Sequence, residues 1–208
     1  MAVLISGCMG GFPDGTGDPS ARLHPLSNLD VMTGQLKETG EEVITNTRME
    51  NGSPVVLRGD STPDTWIVFN TFAQTLKAHQ YPVFRSADTT TQPNYLVQYH
   101  VIGLGVRYGN PFRSGLFGPQ YLSRTITTQV SYQVVDSRKG EILTNSQALK
   151  TSIDTVAVDD IPGLETASLR STLGTVPSDS FIDKAVEPFI ILGAAGLAIY
   201  LLFHIRSS

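Results

Sequence analysis

The feature that most constrains this chain is an apolar run near its end, Phe189-Ile-Ile-Leu-Gly-Ala-Ala-Gly-Leu-Ala-Ile-Tyr-Leu-Leu-Phe203. It holds no charge, and its only polar side-chain group is the Tyr200 hydroxyl. Continued from Pro188 to Ile205, the uncharged run as a helix is about 27 Å long, enough to cross the hydrocarbon core of a bilayer. The competing reading is a buried helix of a soluble protein, but no face of this segment is polar enough to meet water. A C-terminal transmembrane helix over residues 178–208 is therefore expected, with the lipid bilayer as a partner. Asp179 and Asp183 fall in its polar first turns. Gly193, Ala194, Gly196 and Ala198 are small enough to let two such helices approach closely, or else simply face lipid. Lys184 and Glu187 precede the run and Arg206 follows it, so the positive-inside rule favours a cytoplasmic C-terminus and a periplasmic head.

Composition limits what that head does. The net charge is −4 and only 16% of residues are charged. Lys and Arg are scattered singly, which argues against a nucleic-acid partner, since neutralising phosphates takes clustered cations. A single cysteine, Cys8, excludes an internal disulfide and a cysteine-rich metal site. His24, His79, His100 and His204 never fall at zinc-helix spacing. There is no Gly-x-Ser-x-Gly elbow and no phosphate-cradling loop. Gly103-Leu-Gly105 lacks the third glycine and the following helix of a dinucleotide fingerprint. No catalytic, metal or cofactor residue is assigned and no small-molecule substrate is evident, so a non-enzymatic role is expected. The observation that would reopen an enzymatic reading is His100 gathered with Asp or Glu side chains in a cleft.

Residues 1–25 open with a short apolar run that ends in Ile5-Ser-Gly-Cys8, which resembles a bacterial lipobox with Cys8 as the lipidated residue, although no basic segment precedes it. A chance cysteine in an unstructured start is the alternative. The Gly- and Pro-rich stretch that follows reads as a flexible tether. A domain over 26–150 is expected next. Its first helix spans Asn28 to about Arg48, with Asn28 as a cap and a break possible at Gly40. Pro54–Leu57 reads as a short strand, and Arg58-Gly-Asp60 as a loop triplet. A second helix opens at Ser61 or Thr62 with Pro63 at its first position, and presents Trp66, Phe69, Phe72, Ala73 and Leu76 to the core. Pro82–Arg85 is another short strand.

The period then changes to two. Tyr95, Val97, Tyr99 and Val101 share one face, with Leu96, Ile102 and Leu104 on the other. In Tyr121–Val135 the residues Leu122, Ile126, Val130, Tyr132 and Val134 alternate with Thr125, Thr127, Gln129, Ser131 and Gln133, as in a half-exposed antiparallel strand. Asp136–Gly140 turns the chain into a return strand at Glu141. The expected fold class is α+β: an antiparallel β meander packed by two helices, plus the transmembrane helix. Residues 151–177 are rich in Ser, Thr and Asp and read as a polar spacer, with a short helix from Leu164 to Leu173. The long loop between the two main strands carries Arg107, Phe112, Arg113, Leu116 and Phe117. It reads either as a protruding partner contact or as a loop folded back on its own aromatics.

The helix ending in Gln80-Tyr-Pro-Val83 and the hairpin Val134-Val-Asp136-Ser-Arg-Lys-Gly140-Glu-Ile-Leu143 resemble the periplasmic domain of envelope lipoproteins, such as the curli secretion channel and the penicillin-binding-protein activators. The resemblance spans residues 53–145. It implies an α+β sandwich that forms oligomeric rings or docks a partner, without catalysis. The expected function is a non-enzymatic, membrane-anchored periplasmic subunit of a bacterial envelope assembly, secretion or transport complex, with an envelope protein or further copies of itself as partner. The alternative is a regulatory lipoprotein that docks and activates a periplasmic enzyme such as a peptidoglycan synthase.

Overall fold

The computed structural model describes residues 25–86, 92–115, 118–177, 191–195 and 197. Helix α1 runs Asn28–Thr47, strand β1 Val55–Gly59, helix α2 Thr65–Ala78 and strand β2 Val83–Phe84. Strands β3 (Tyr95–Tyr108), β4 (Phe112–Arg113), β5 (Gln120–Asp136) and β6 (Glu141–Ala157) follow. Beyond β6 lie a single turn of helix α3 (Ile161–Leu164), flanked by the 3-10 turns Val158–Asp160 and Arg170–Thr172.

These strands make one six-stranded mixed sheet. β3, β5 and β6 form the expected antiparallel meander. The sheet differs from an all-antiparallel one because β1 lies parallel to both β2 and β3. Helix α2 carries the chain back between β1 and β2, as a parallel pair requires. Val55, Val56 and Leu57 are all buried, the continuous apolar run of an inner parallel strand.

Both helices cover one face of the sheet. Leu36 and Val43 of α1, with Ile67, Val68, Phe72 and Leu76 of α2, meet Val97, Tyr99, Val130, Tyr132 and Val134 in the main core. The helices touch closely at Gly40, where a Cβ would sit 3.1 Å from Thr75 Cβ. The glycine therefore serves the packing, and α1 continues through it unbroken. The cap of α1 is Ser27, whose Oγ accepts from Asp30 N at 3.1 Å. Asn28 is instead drawn into a buried network. Its Nδ2 donates to Tyr108 Oη at 3.0 Å and to the Thr172 carbonyl at 2.8 Å.

Helix α2 starts later than expected and turns a different face inward. Asp64 adopts a left-handed conformation (φ 66°) and its carboxylate accepts from Ser171 N at 3.0 Å, so the helix begins at Thr65. The buried side chains are Ile67, Val68, Thr71, Phe72, Thr75 and Leu76. Trp66 is 50% exposed.

β3 keeps its expected parity only as far as Val101. A register shift between Val101 and Gly103 reverses it, so Leu104 and Val106 pack on the core side and Tyr108 is buried. β5 follows its expected alternation along its length.

The stretch expected as a polar spacer is part of the fold. Residues 151–157 complete β6, and Ile161, Leu164 and Val156 join Tyr108 and Leu122 in a second core cluster. Leu169 reaches the main core. The short helix placed at Leu164–Leu173 is instead a turn at Ile161–Leu164 and a 3-10 turn at Arg170–Thr172.

The N-terminal tether, Cys8, Leu116, Phe117, Gly196 and Ala198 lie outside the described residues, as does most of the apolar C-terminal run. Residues 191–195 and Leu197 are helical, and Ile191, Leu192 and Leu197 are largely exposed. Among the described residues no helix is long and apolar enough to cross a membrane.

Candidate functional site: an open strand edge and a polar cleft

Two surfaces stand out. The first is β6. Its inner edge pairs with β5 along the whole length of both strands, whereas no described strand pairs with its outer edge. Its residues alternate between the helix side and the open side of the sheet. On the helix side, Ala148 and Val156 are buried. Lys150 makes a close ion pair with Glu42 of α1 and lies 3.9 Å from Glu38. Asp154 closes on Arg124, whose guanidinium is completely buried. Arg124 donates through Nε to Asp154 Oδ1 at 2.8 Å and through Nη1 to the Leu26 carbonyl and Asn28 Oδ1, at 2.8 and 2.9 Å. A buried guanidinium is tolerated because nearly all its donors are used.

The open side of β6 is different. Leu149 is 60% exposed and Ile153 is 72% exposed, with Thr151 between them. Ile142, near the start of the strand, is also exposed. Across the rest of the open face β5 presents Thr125, Thr127, Gln129, Ser131 and Gln133. Exposed aliphatic side chains along a long unpaired edge are what natural sheets usually suppress, because such an edge is a template for another strand.

The second surface is a cleft of about 430 Å³ where β1 ends and α2 begins, lined among others by Asp60, Thr62, Thr65, Trp66, Phe69 and Arg85. Gly59 permits it: a Cβ there would lie 2.2 Å from Tyr99 Cζ. Burial, with the Asp60 carboxylate nearby, pushes the Tyr99 phenol up to about 12, so it remains protonated at neutral pH. Asp60 Oδ1 accepts from Thr65 Oγ1 at 3.2 Å and from Thr62 Oγ1 at 3.4 Å. His100 Nδ1 lies 2.5 Å from Asp60 Oδ2, but that buried oxygen receives no aligned hydrogen bond. The Arg85 guanidinium sits 5.0 Å above the Phe69 ring, a cation–π contact.

The strand histidine thus has one carboxylate neighbour, Asp60, which lines the cleft while His100 does not. Among the described residues His100 is not gathered with several Asp or Glu side chains in a cleft, the arrangement that would reopen an enzymatic reading. The hydroxyls nearest Asp60 bond to the carboxylate itself and to each other. His100 is largely exposed. Among the described residues no group of three or more His, Cys, Asp or Glu side chains is placed to hold a metal.

Of the expected partner-contact residues, Arg107 ends up in β3, exposed on the open side. Phe112 and Arg113 form β4, which pairs with Tyr121 and Gln120 and exposes both side chains. Phe112 tilts against Tyr121 with ring centroids 6.2 Å apart. In the tail helix, Gly193 and Ala194 are exposed. Sequence reasoning missed the β6 edge. Leu149 and Ile153 do lie four residues apart on one side of the strand, but the stretch beyond 150 looked too polar to be structured.

No protein-family model matches the chain, and no curated protein sequence matches it. Several solved structures are similar to part of it. The LpoB C-terminal domain from Salmonella enterica matches at 8% identity and a TM-score of 0.34, covering 57% of this chain and 96% of that one. Lipoprotein GNA1162 from Neisseria meningitidis matches at 11% identity and a TM-score of 0.30, covering 69% and 99%. A minor lipoprotein from Acinetobacter baumannii matches at 15% identity and a TM-score of 0.31, covering 51% and 71%. Likeness at this level carries no functional argument.

Proposed function

We propose that this chain is a non-enzymatic subunit of a bacterial envelope assembly, secretion or transport complex, anchored in a membrane with its α+β head in the periplasm, and that it works by docking protein along β6. The observation that carries the reading is the 17-residue strand β6, whose outer edge is open among the described residues and whose open side exposes Leu149 and Ile153. Strand addition to such an edge gains main-chain hydrogen bonds over its length, while alternate side chains set register. The apolar run at 189–203 supplies the anchor in this reading, with Cys8 as a second attachment. Exposed Phe112 and Arg113 at the far end of the sheet, with Arg107, Leu116 and Phe117, supply a further contact.

The test is native mass measurement of the full chain in detergent, with cells bearing the Ile153→Asp variant as comparison. The expected result is an assembly or a stoichiometric partner that the substitution removes. A strict monomer with no co-purifying protein overturns the proposal.

A second reading, a regulatory subunit that activates a periplasmic enzyme such as a peptidoglycan synthase, is favoured by the half-exposed Trp66 at the cleft, since aromatic anchors of this kind concentrate binding energy. In that case Trp66→Ala, rather than Ile153→Asp, abolishes stimulation of the synthase.

A further inference from the structure

We propose that the outer edge of β6 is occupied by the same edge of a second copy, with the two strands antiparallel about a two-fold axis at Thr151. This rests on the docking reading above and names its occupant.

The choice of register follows from which side chains already have partners. With the axis at Thr151, residues 145–157 of each copy overlap. Leu149 faces Ile153 of the second copy, and the reverse, so four half-wet aliphatic side chains meet on the open side. Gln147 faces Thr155 and Thr151 faces itself, so polar groups also meet polar groups. On the helix side each Lys150 stands opposite Ser152 of the second copy, with that copy's Asp154 one diagonal step one way and its Lys150 one step the other, so no like charges lie directly opposite.

The neighbouring registers are worse. An axis at Lys150 sets two ammonium groups directly opposite each other, which is unfavourable. An axis at Ser152 pairs Lys150 directly with Asp154 but leaves Leu149 against Thr155 and Ile153 against Thr151. Little is gained there, because Lys150 already holds Glu42 and Asp154 already holds Arg124. An axis at Leu149 leaves Ile153 against Asn145.

The usual guards against edge pairing are weak here. β6 has no proline, its one register shift against β5 falls opposite Val134/Val135 and outside the overlap, and its lysine is drawn inward to α1.

The test uses the full chain in detergent, carrying Cys8→Ser and Thr151→Cys, oxidised with copper phenanthroline. A disulfide-linked dimer is expected. Gln98→Cys, on the open side of β3, is expected to stay monomeric under the same conditions. Adding Leu149→Asp and Ile153→Asp is expected to lower the Thr151→Cys dimer yield at least tenfold. Both residues are exposed, so the monomer should keep its circular dichroism. A dimer by native mass that does not cross-link at Thr151→Cys overturns the proposal. If the chain is monomeric and a different protein protects β6 from modification, the second-copy inference fails and the docking reading stands. A monomer with β6 unprotected removes both.

Discussion

β5 and β6 are neighbouring strands of 17 residues each, paired along their whole length, and they have opposite characters. In β5 every second residue from Leu122 to Asp136 is buried. In β6 only Ala148 and Val156 are. The same pleat and the same covering helix α1 serve both. The difference is position: β5 has strands on both sides and lies under α1, whereas β6 has one neighbouring strand among the described residues and meets α1 mainly through charged and polar contacts. An inner strand thus shows its role by burial, while an edge strand shows its role by what it leaves exposed.

The largest test of this contrast is Arg124, the charge buried within β5. Arg124→Ala removes the partner of Asp154, Asn28 and the Leu26 carbonyl at once. A loss of about 3–5 kcal/mol is expected by urea unfolding, from the large buried side chain removed and the Asn28 and Leu26 acceptors left without a donor, while the half-exposed Asp154 is rehydrated. Next comes a matched pair of isoleucines. Ile126→Ala on β5, where the residue is 1% exposed, should cost about 2–5 kcal/mol. Ile153→Ala on β6, at 72% exposure, should stay within about 0.5 kcal/mol for the monomer. Equal costs would mean that the open side of β6 is covered within the chain.

The smallest effect is at the turn joining the two strands. Hydrogen bonds and charge from Arg138 hold the Asp136 carboxyl below the usual carboxylate range. A depressed folded-state pKa contributes stability that is present above the unfolded value near 4 and lost as pH falls through the folded value. Asp136→Asn should therefore lower stability modestly at neutral pH and flatten the acid limb, with the difference from the parent shrinking as pH falls below about 4, as read by thermal melts across pH.

Much of the core was legible in the chain. The alternation in β5 and the punctuation around both helices set element type and order, because side-chain period follows backbone geometry. Three misplacements have physical causes. The aromatic stripe Trp66–Phe69–Phe72 drew the expected buried face of α2 away from Thr71 and Thr75. Those hydroxyls bond back to the Ile67 and Thr71 carbonyls at 2.8 and 2.9 Å, which removes their polarity from the interface. The bulge after Val101 reversed parity within β3, and bulges leave little trace in hydropathy. Residues 151–177 looked like spacer because their burial depends on partners distant in sequence, such as Tyr108 and Asp64.

The residues alone determined the long alternating strand, the two helices, the hairpin at Asp136–Gly140 and the presence of an apolar C-terminal run. Each of these is a local property, written in side-chain period and turn chemistry. Tertiary structure alone decided that β1 and β2 join in parallel, that Arg124 is buried within the core, that His100 meets Asp60, and that β6 is the edge. Those facts depend on which strand lies beside which, and strand adjacency is set by packing between distant segments rather than by any one of them.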